Sequence, residues 1–378
     1  MAKTAAEKTP AEVKTKAQSN KRASKATKEK KAQKPTKSAK AAQVKHETVD
    51  EMISTASTGG ARRKSFLGNP NVHIIVDSPG DFNPDIVKAL GVSMISFPYM
   101  MDGEEHLDDM FQSMSATEFY NAMRKGSNPT TSAVTPGRYY EAFREAAERG
   151  VPTIYLAFPR ALSSSVDHAR QARDMILEEY PDFELYVVDD HLPCAPAQLL
   201  AIEAVHQANL GMNAKELVEW IREARYYVRG LFTLESLDWL ARGGRIPAVA
   251  ASLGGKLDIK PELSYDETGA LSLKRMCRGR KKALKAIIND FIAESGDERI
   301  SPMAIVTADA EHDGDWLEMA LRKVEGCEDI PIIRSSVGPV IGSHVGPGMV
   351  ALIFWGTDMR KTKAPTGSTS AKLGIAKK

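Results

Sequence analysis

Three cysteines in 378 residues (Cys194, Cys277 and Cys327) are too few and too scattered to staple a fold. They form no CxxC pair, so neither a disulfide framework nor a cysteine zinc site is signalled, and a reducing compartment fits. No apolar run approaches the roughly 18 residues of a membrane span, and the run ending before Gly356 is among the longest. The chain is therefore not expected to be an integral membrane protein. The basic N-terminus lacks the apolar h-region of a secretory signal, and its Lys/Ala bias is unlike the Arg/Ser bias of a transit peptide. A cytoplasmic location is expected. Familiar enzyme strings are missing too: no GxSxG elbow, no Walker A sequence, no GxGxxG after the first strand and no HExxH. Glu104-Glu105-His106-Leu107-Asp108-Asp109 is the only stretch resembling metal ligands. Consecutive residues point in different directions, and no metal is expected there.

What is present is an uneven charge distribution. The formal net charge is only +2, yet residues 1–45 hold 14 Lys/Arg against 3 Glu, and residues 357–378 hold 6 against 1. The 311 residues between them carry 31 basic and 45 acidic side chains, so an acidic body is flanked by two basic tails. Residues 1–65 are low in large apolar residues and cannot offset the entropy of ordering them, so a disordered arm is expected. Such an arm can hold nucleic acid or an anionic lipid surface through charge alone. It has no Phe, Trp or Tyr for base stacking and no apolar face for insertion, so a purely solvated tail is the other reading.

The body is long enough, and at 42% hydrophobic rich enough, for two filled cores. Strands are expected at Val72–Asp77, Val92–Phe97, Pro152–Phe158 and Glu184–Asp189, and helices at Pro84–Leu90, from the capping box Ser115…Glu118, after Thr135-Pro136, at Val166–Glu179 and Ala195–Leu210, and from Asn213. Tyr140, Phe143 and Ala147 mark the inner face of the Thr135 helix. This alternation reads as an α/β fold with a parallel, doubly wound sheet. From about Gly230 the pattern changes. A helix over Thr233–Arg242, a hairpin of Lys256–Tyr265 and Leu271–Cys277, helices near 281–294 and 314–324, and strands near 302–308 and 330–335 suggest an α+β second domain with a mixed sheet. The expected organisation is an arm at 1–65, domains at 72–229 and 230–356, and a disordered basic tail from 357 to 378.

Chemistry can be placed at a few strings. Gly338–Gly348 surrounds His344 with glycines and prolines, leads into the apolar run Met349–Trp355, and reads as a loop at the mouth of a sheet. His344 there either faces a ligand or is a solvated turn residue. Asn128-Pro129-Thr130-Thr131-Ser132 offers adjacent hydroxyls suited to a carboxylate or phosphate, or else a cap. Ser163-Ser164-Ser165 opens a helix, where anion binding and simple capping are both natural. Arg245 follows a Gly-Gly turn and either pairs with an anion or lies on the surface. Asp77-Ser78 after the first strand holds a ligand, orients a hydroxyl or shapes a turn.

Taken in order, Ile75-Val76-Asp77-Ser78, Asp102-Gly103 with Asp108, Pro129-Thr130-Thr131-Ser132, Leu162-Ser163, Val188-Asp189, Leu234-Glu235-Ser236-Leu237, Gly243-Gly244-Arg245-Ile246, Lys260-Pro261 and the Gly338–Gly348 segment resemble the DegV family. These are bacterial proteins that bind fatty acids and serve fatty acid kinase. The resemblance spans about residues 72–356. It implies two α/β domains around a long-chain fatty acid such as palmitate, with no other cofactor. Carried over by position, Thr131 and Ser163 bind the carboxylate, with Ser132 and Ser164 beside them, while Arg245 and His344 complete the polar end near the phosphorylated group. It also implies that this chain is a lipid-binding carrier and not an enzyme. A separate catalytic subunit of fatty acid kinase makes the acyl phosphate, which passes to phospholipid synthesis. The chain departs from the family at Ser164 and Ser165, where Gly and Thr are usual, at Pro159-Arg160, where Ser-Ser is usual, and at Ala133-Val134, where Gln-Pro is usual. Ser164 is expected to add bulk near the carboxylate, and Arg160 a positive charge. The alternatives are a basic-tailed lipid sensor acting at nucleic acid or membrane, or a serine hydrolase.

Overall fold

A computed structural model describes residues 71–246, 258–296 and 299–361. The arm at 1–65, the tail beyond residue 361 and the first two residues of the strand expected from Lys256 lie outside the described residues. The chain opens with β1 (His73–Asp77), whose Ile-Ile-Val core is buried on both faces. A single turn of 3-10 helix and α1 (Pro84–Leu90) follow; Asn83 caps α1 by accepting from the Ile86 N–H at 2.8 Å, and Gly91 ends it at φ 65°. Then come β2 (Ser93–Ile95), the hairpin β3 (Pro98–Met101) and β4 (Glu104–Leu107), α2 (Ala116–Arg124), β5 (Thr130–Thr131), α3 (Pro136–Arg149), β6 (Thr153–Ala157), α4 (Ser165–Glu179), β7 (Leu185–Asp189), α5 (Pro196–Asn209) and α6 (Ala214–Ala224).

The strands β2-β1-β6-β7 form a wholly parallel sheet in that order. The expected doubly wound sheet is therefore present, with its order reversing between β1 and β6. A crevice forms at the carboxyl ends of such a sheet, because the flanking connections leave in opposite directions there. The expected caps at Ser115, Thr135 and Asn213 are all made. A small antiparallel sheet, β4-β3-β5, was not expected from the sequence. Its turn has Asp102 and Gly103 at φ 52° and 93°, the positive pair that a tight hairpin demands.

The second half contributes β8 (Val228–Thr233), α7 (Asp238–Arg242), β9 (Ile259–Tyr265), β10 (Leu271–Arg278), α8 (Arg280–Glu294), β11 (Met303–Thr307), α9 (Glu311–Leu321), β12 (Ile332–Ser336), α10 (Pro339–Val345) and β13 (Val350–Trp355). Its six-stranded sheet runs β10-β9-β8-β13-β11-β12, with only the β11–β12 pair parallel. The expected mixed sheet is therefore present.

Four local expectations differ from the structure. Thr233 ends a strand, and the helix expected over Thr233–Arg242 is confined to Asp238–Arg242. That strand begins at Val228, across the border expected at 229/230, because it pairs with β9 and β13 along its length. The Gly338–Gly348 segment holds a helix, α10, started by Pro339 and stopped by Gly346 at φ 71°. Pro in the first turn costs nothing, since its missing N–H has no helical partner anyway. On α3 the buried tyrosine is Tyr139; Tyr140 is half-exposed and donates to Glu179 at 2.6 Å.

Side-chain alternation on β8 and β13 decides where the cavity lies. Leu231, Val350, Leu352 and Phe354 point to one core, with Phe291 and Leu284 of α8 and Leu317 of α9. Phe232, Ala351 and Ile353 point the opposite way, into the core shared with the parallel half. Near the start of β8, Arg229 is buried with Glu294, its Nε and Nη2 donating to Oε2 at 3.1 and 2.6 Å, and Lys274 also reaches Glu294.

Candidate functional site

The carboxyl ends of the parallel sheet face the mixed sheet across a cavity of about 400 Å³. That size is typical of a small-molecule site. Its walls come from Phe97 after β2, Thr131–Ala133 on and after β5, Phe158 and Arg160–Ser164 after β6, Cys194 and Pro196 before and in α5, Gly230 and Phe232 of β8, Tyr265, Leu271, Val340, Ile341, His344 and Val345 of α10, and Ala351 and Ile353 of β13. All six residues proposed from the sequence line it: Thr131, Ser132, Ser163, Ser164, Arg245 and His344.

They come from four separate segments. Thr131 Oγ1 lies 2.7 Å from His344 Nε2, a contact 213 residues apart in sequence. Ser163 Oγ lies 2.9 Å from Ser165 Oγ, which in turn accepts from the Val134 N–H at 3.2 Å. The two arrangements do the same chemistry. When His344 is in its Nε2–H tautomer it donates to Thr131, and the threonine proton is left to point into the cavity. Ser163 Oγ donates to Ser165 Oγ and accepts from the Ser165 N–H at 3.2 Å, and rotation of its hydroxyl turns that proton into the cavity. Each pair therefore presents a donor, which is what a carboxylate needs.

Arg245 supplies the positive charge. Its Nε donates to Leu162 O at 3.2 Å and its Nη1 to Gly243 O at 2.5 Å, so the guanidinium is fixed by backbone carbonyls. No carboxylate pairs with it among the described residues, and burial lowers its pKa. A half-buried guanidinium without an acidic partner is costly in isolation and is relieved by an anion. Arg160, the departure from the family at the mouth, is exposed and pairs with Asp167 at 2.9 Å. Ser164 is exposed with φ −79° and ψ 0°, a conformation any residue adopts, so the usual glycine is replaced there without backbone strain. Ser132 is exposed at the rim.

His344 sits in the last turn of α10, where the helix end favours a protonated imidazole. Burial, and next the Arg245 charge, outweigh that and lower its pKa to about 4. The ring is expected to be neutral at pH 7, and an imidazole titration by NMR should place its midpoint near 4, well below the ordinary 6.5. Because the folded value lies below the unfolded one, the unfolded chain takes up this proton first. Its contribution to stability is complete above about pH 6.5 and is lost as pH falls toward 4. The ring also depends on Gly243: a methyl there would overlap Nδ1, although the φ of −72° is ordinary. Nδ1 itself is buried with no partner. The sequence singled out Gly243 only as part of a turn.

Other candidates are structural. Asp77 accepts from Tyr155 Oη at 2.7 Å and from the Phe158 N–H at 2.8 Å, and burial pushes its pKa up to about 7. Ser78 accepts from the Phe97 N–H at 3.0 Å. Both shape the turn after β1 and lie outside the large cavity. Asp81, not singled out from the sequence, accepts from Cys194 Sγ and from the Gly338 N–H at 2.9 Å, which holds the start of α10 against the first half. Glu104 and Glu105 lie exposed on β4, and no group of three or more His, Cys, Asp or Glu among the described residues is placed to hold a metal. No helix among them is long and apolar enough to cross a membrane.

Comparison with known proteins bears on the family and the fold. A DegV domain-containing protein of Clostridium perfringens is 34% identical over 283 residues, covering 75% of this chain and 97% of the relative. A DegV lipid binding protein from Thermotoga maritima, 26% identical, superposes with a TM-score of 0.66 over 76% of this chain and 99% of its own. A second T. maritima protein, whose structure is described as revealing fatty acid binding function, gives 0.65 at 26% identity over the same shares. The Streptococcus pneumoniae fatty acid kinase B3 protein, loaded with linoleic acid, has the same fold at 20% identity, with a TM-score of 0.65 over 76% of this chain and all of its own. The DegV family model matches residues 71–356, the whole span that builds both sheets and the cavity between them, and this chain belongs to the DegV family.

Proposed function

We propose that this chain binds a long-chain fatty acid and presents its carboxylate to a separate, ATP-using fatty acid kinase. Thr131 and Ser163 donate to the carboxylate, with Ser132 and Ser164 at the rim. Arg245 balances its charge, and His344 fixes the Thr131 proton. The observation that carries the reading is Arg245: a guanidinium with no carboxylate partner among the described residues, at the polar end of an otherwise apolar cavity. Burying about 14 methylenes at ~0.8 kcal/mol each contributes roughly 11 kcal/mol gross, before the costs of ordering and association. The kinase half of the reading rests on the family resemblance. In it the chain contributes no phosphoryl transfer of its own, needs no cofactor, and hands the acyl phosphate on to phospholipid synthesis.

A serine hydrolase is not favoured, because the hydroxyl meeting the imidazole belongs to Thr131 while Ser163 pairs with Ser165. Protein purified from a heterologous bacterium is expected to carry a fatty acid of about C14–C18, visible by native mass spectrometry and lipid extraction. Protein that stays empty, and takes up no added palmitate, overturns the proposal.

A further inference from the structure

The cavity has a polar end and an inner end, and strand register orders the residues between them. β8 and β13 run antiparallel, with Thr233 opposite Val350 and Val228 opposite Trp355. Val350 begins just after α10 and its His344, so the Thr233 end lies toward the polar group and the Val228 end away from it. Along this direction the cavity wall passes from Phe232 beside Ala351 to Gly230 beside Ile353. At Gly230 the wall is closely packed. A Cβ built there would stand 3.0 Å from Tyr265 Cε1 and 3.1 Å from Pro196 Cγ, so the tyrosine and proline rings close over the glycine. Its φ is not positive, and the glycine is needed for space rather than for backbone conformation.

What lies behind this wall is unsuited to hydrocarbon. Tyr265 is buried and donates its hydroxyl to Val228 O at 2.9 Å. The buried Asp190 carboxyl acts on its phenol as well. A methyl terminus pushed past the ring would desolvate those groups without replacing their partners.

We propose that Gly230 and Tyr265 together set the length of acyl chain this protein accepts, with Tyr265 as the end wall and Gly230 as the clearance beneath it. This rests on the lipid reading of the cavity and names the substrate property that the inner end selects: straight chains up to a fixed length. Gly230→Ala narrows the clearance, and Tyr265→Leu shortens the wall. The two substitutions therefore act in opposite directions on the same ligand series.

The test is competition binding of saturated straight-chain acids from C12 to C20 to wild-type, Gly230→Ala and Tyr265→Leu proteins, with thermal melts confirming that each is folded. Gly230→Ala is expected to weaken the longest acid that wild type accepts by about tenfold or more relative to shorter ones, the range one methylene decides in an apolar pocket. Tyr265→Leu is expected to shift the ranking toward longer acids. If one variant does not fold, the direction of the other decides. An unchanged ranking in folded variants that still bind, or a shift opposite to the expected direction, overturns the length assignment and leaves the lipid reading standing. Wild-type protein that binds no acid of the series overturns the lipid reading and the assignment with it.

Discussion

Thr131→Val combined with Ser163→Ala is expected to abolish retention of a fatty acid while leaving the fold intact. Both side chains lie at the cavity wall, and both substitutions remove a hydroxyl without adding bulk. A hydrogen bond to a charged group contributes about 1.5–3 kcal/mol. Losing two therefore removes roughly 3–6 kcal/mol, or about 10²–10⁴-fold in affinity. The loss is this large because both hydroxyls assigned to the carboxylate go together, leaving it Arg245 and the rim serines Ser132 and Ser164. The readout is the lipid content of purified protein by native mass spectrometry, with the melting temperature as control. A double variant that still co-purifies with lipid at wild-type occupancy places the carboxylate elsewhere. Thr131→Ser, which keeps the hydroxyl beside His344, should retain most of the binding and separates the loss of a donor from a packing effect.

The second large effect concerns the frame behind the cavity. Arg229→Met is expected to cost about 3–5 kcal/mol of folding stability, because it strips the main partner from a buried carboxylate. Glu294 would keep only Lys274 in a site where both ion-pair side chains are about nine-tenths buried. A lowered denaturation midpoint with an unchanged denaturant slope is the expected signature. Replacing both members, Arg229→Met with Glu294→Leu, should recover much of the loss, since the cost lies in the unpaired charge rather than in the absence of the pair. Equal losses in the single and double variants would assign the effect to packing instead.

Much of the architecture was readable along the chain, because it is written in local patterns. The buried apolar runs at β1 and β6, the caps at Ser115, Thr135 and Asn213, and the positive-φ glycines at 91 and 150 each act over a few residues. Errors arose where local pattern and tertiary need disagree. Val228–Thr233 contains an arginine and a glycine that spoil a strand signature. Arg229 is there to meet Glu294, and Gly230 to leave room under Tyr265. The Gly-Pro content of 338–348 suggests a loop, yet Gly342 is helical, and a Cβ on it would press on Tyr120 Oη and Phe119. Both glycines answer to neighbours more than 30 residues away in sequence, which a local reading does not contain.

The sequence by itself determined the element types, the two successive patterns of α/β and mixed sheet, the lack of familiar catalytic strings, and the short strings whose resemblance to the DegV family the family model bears out. It also offered hydroxyls, a cation and a histidine, without showing that they meet. Only the tertiary structure decided that Thr131 touches His344, that Arg245 is held by Leu162 O with no acid paired to it among the described residues, and that burial and Arg245 lower the pKa of His344. The physical reason is that charge state and partnership are set by burial and by distance in space. Both arise where the carboxyl ends of one sheet close against the face of another, and neither is encoded at any single stretch of chain.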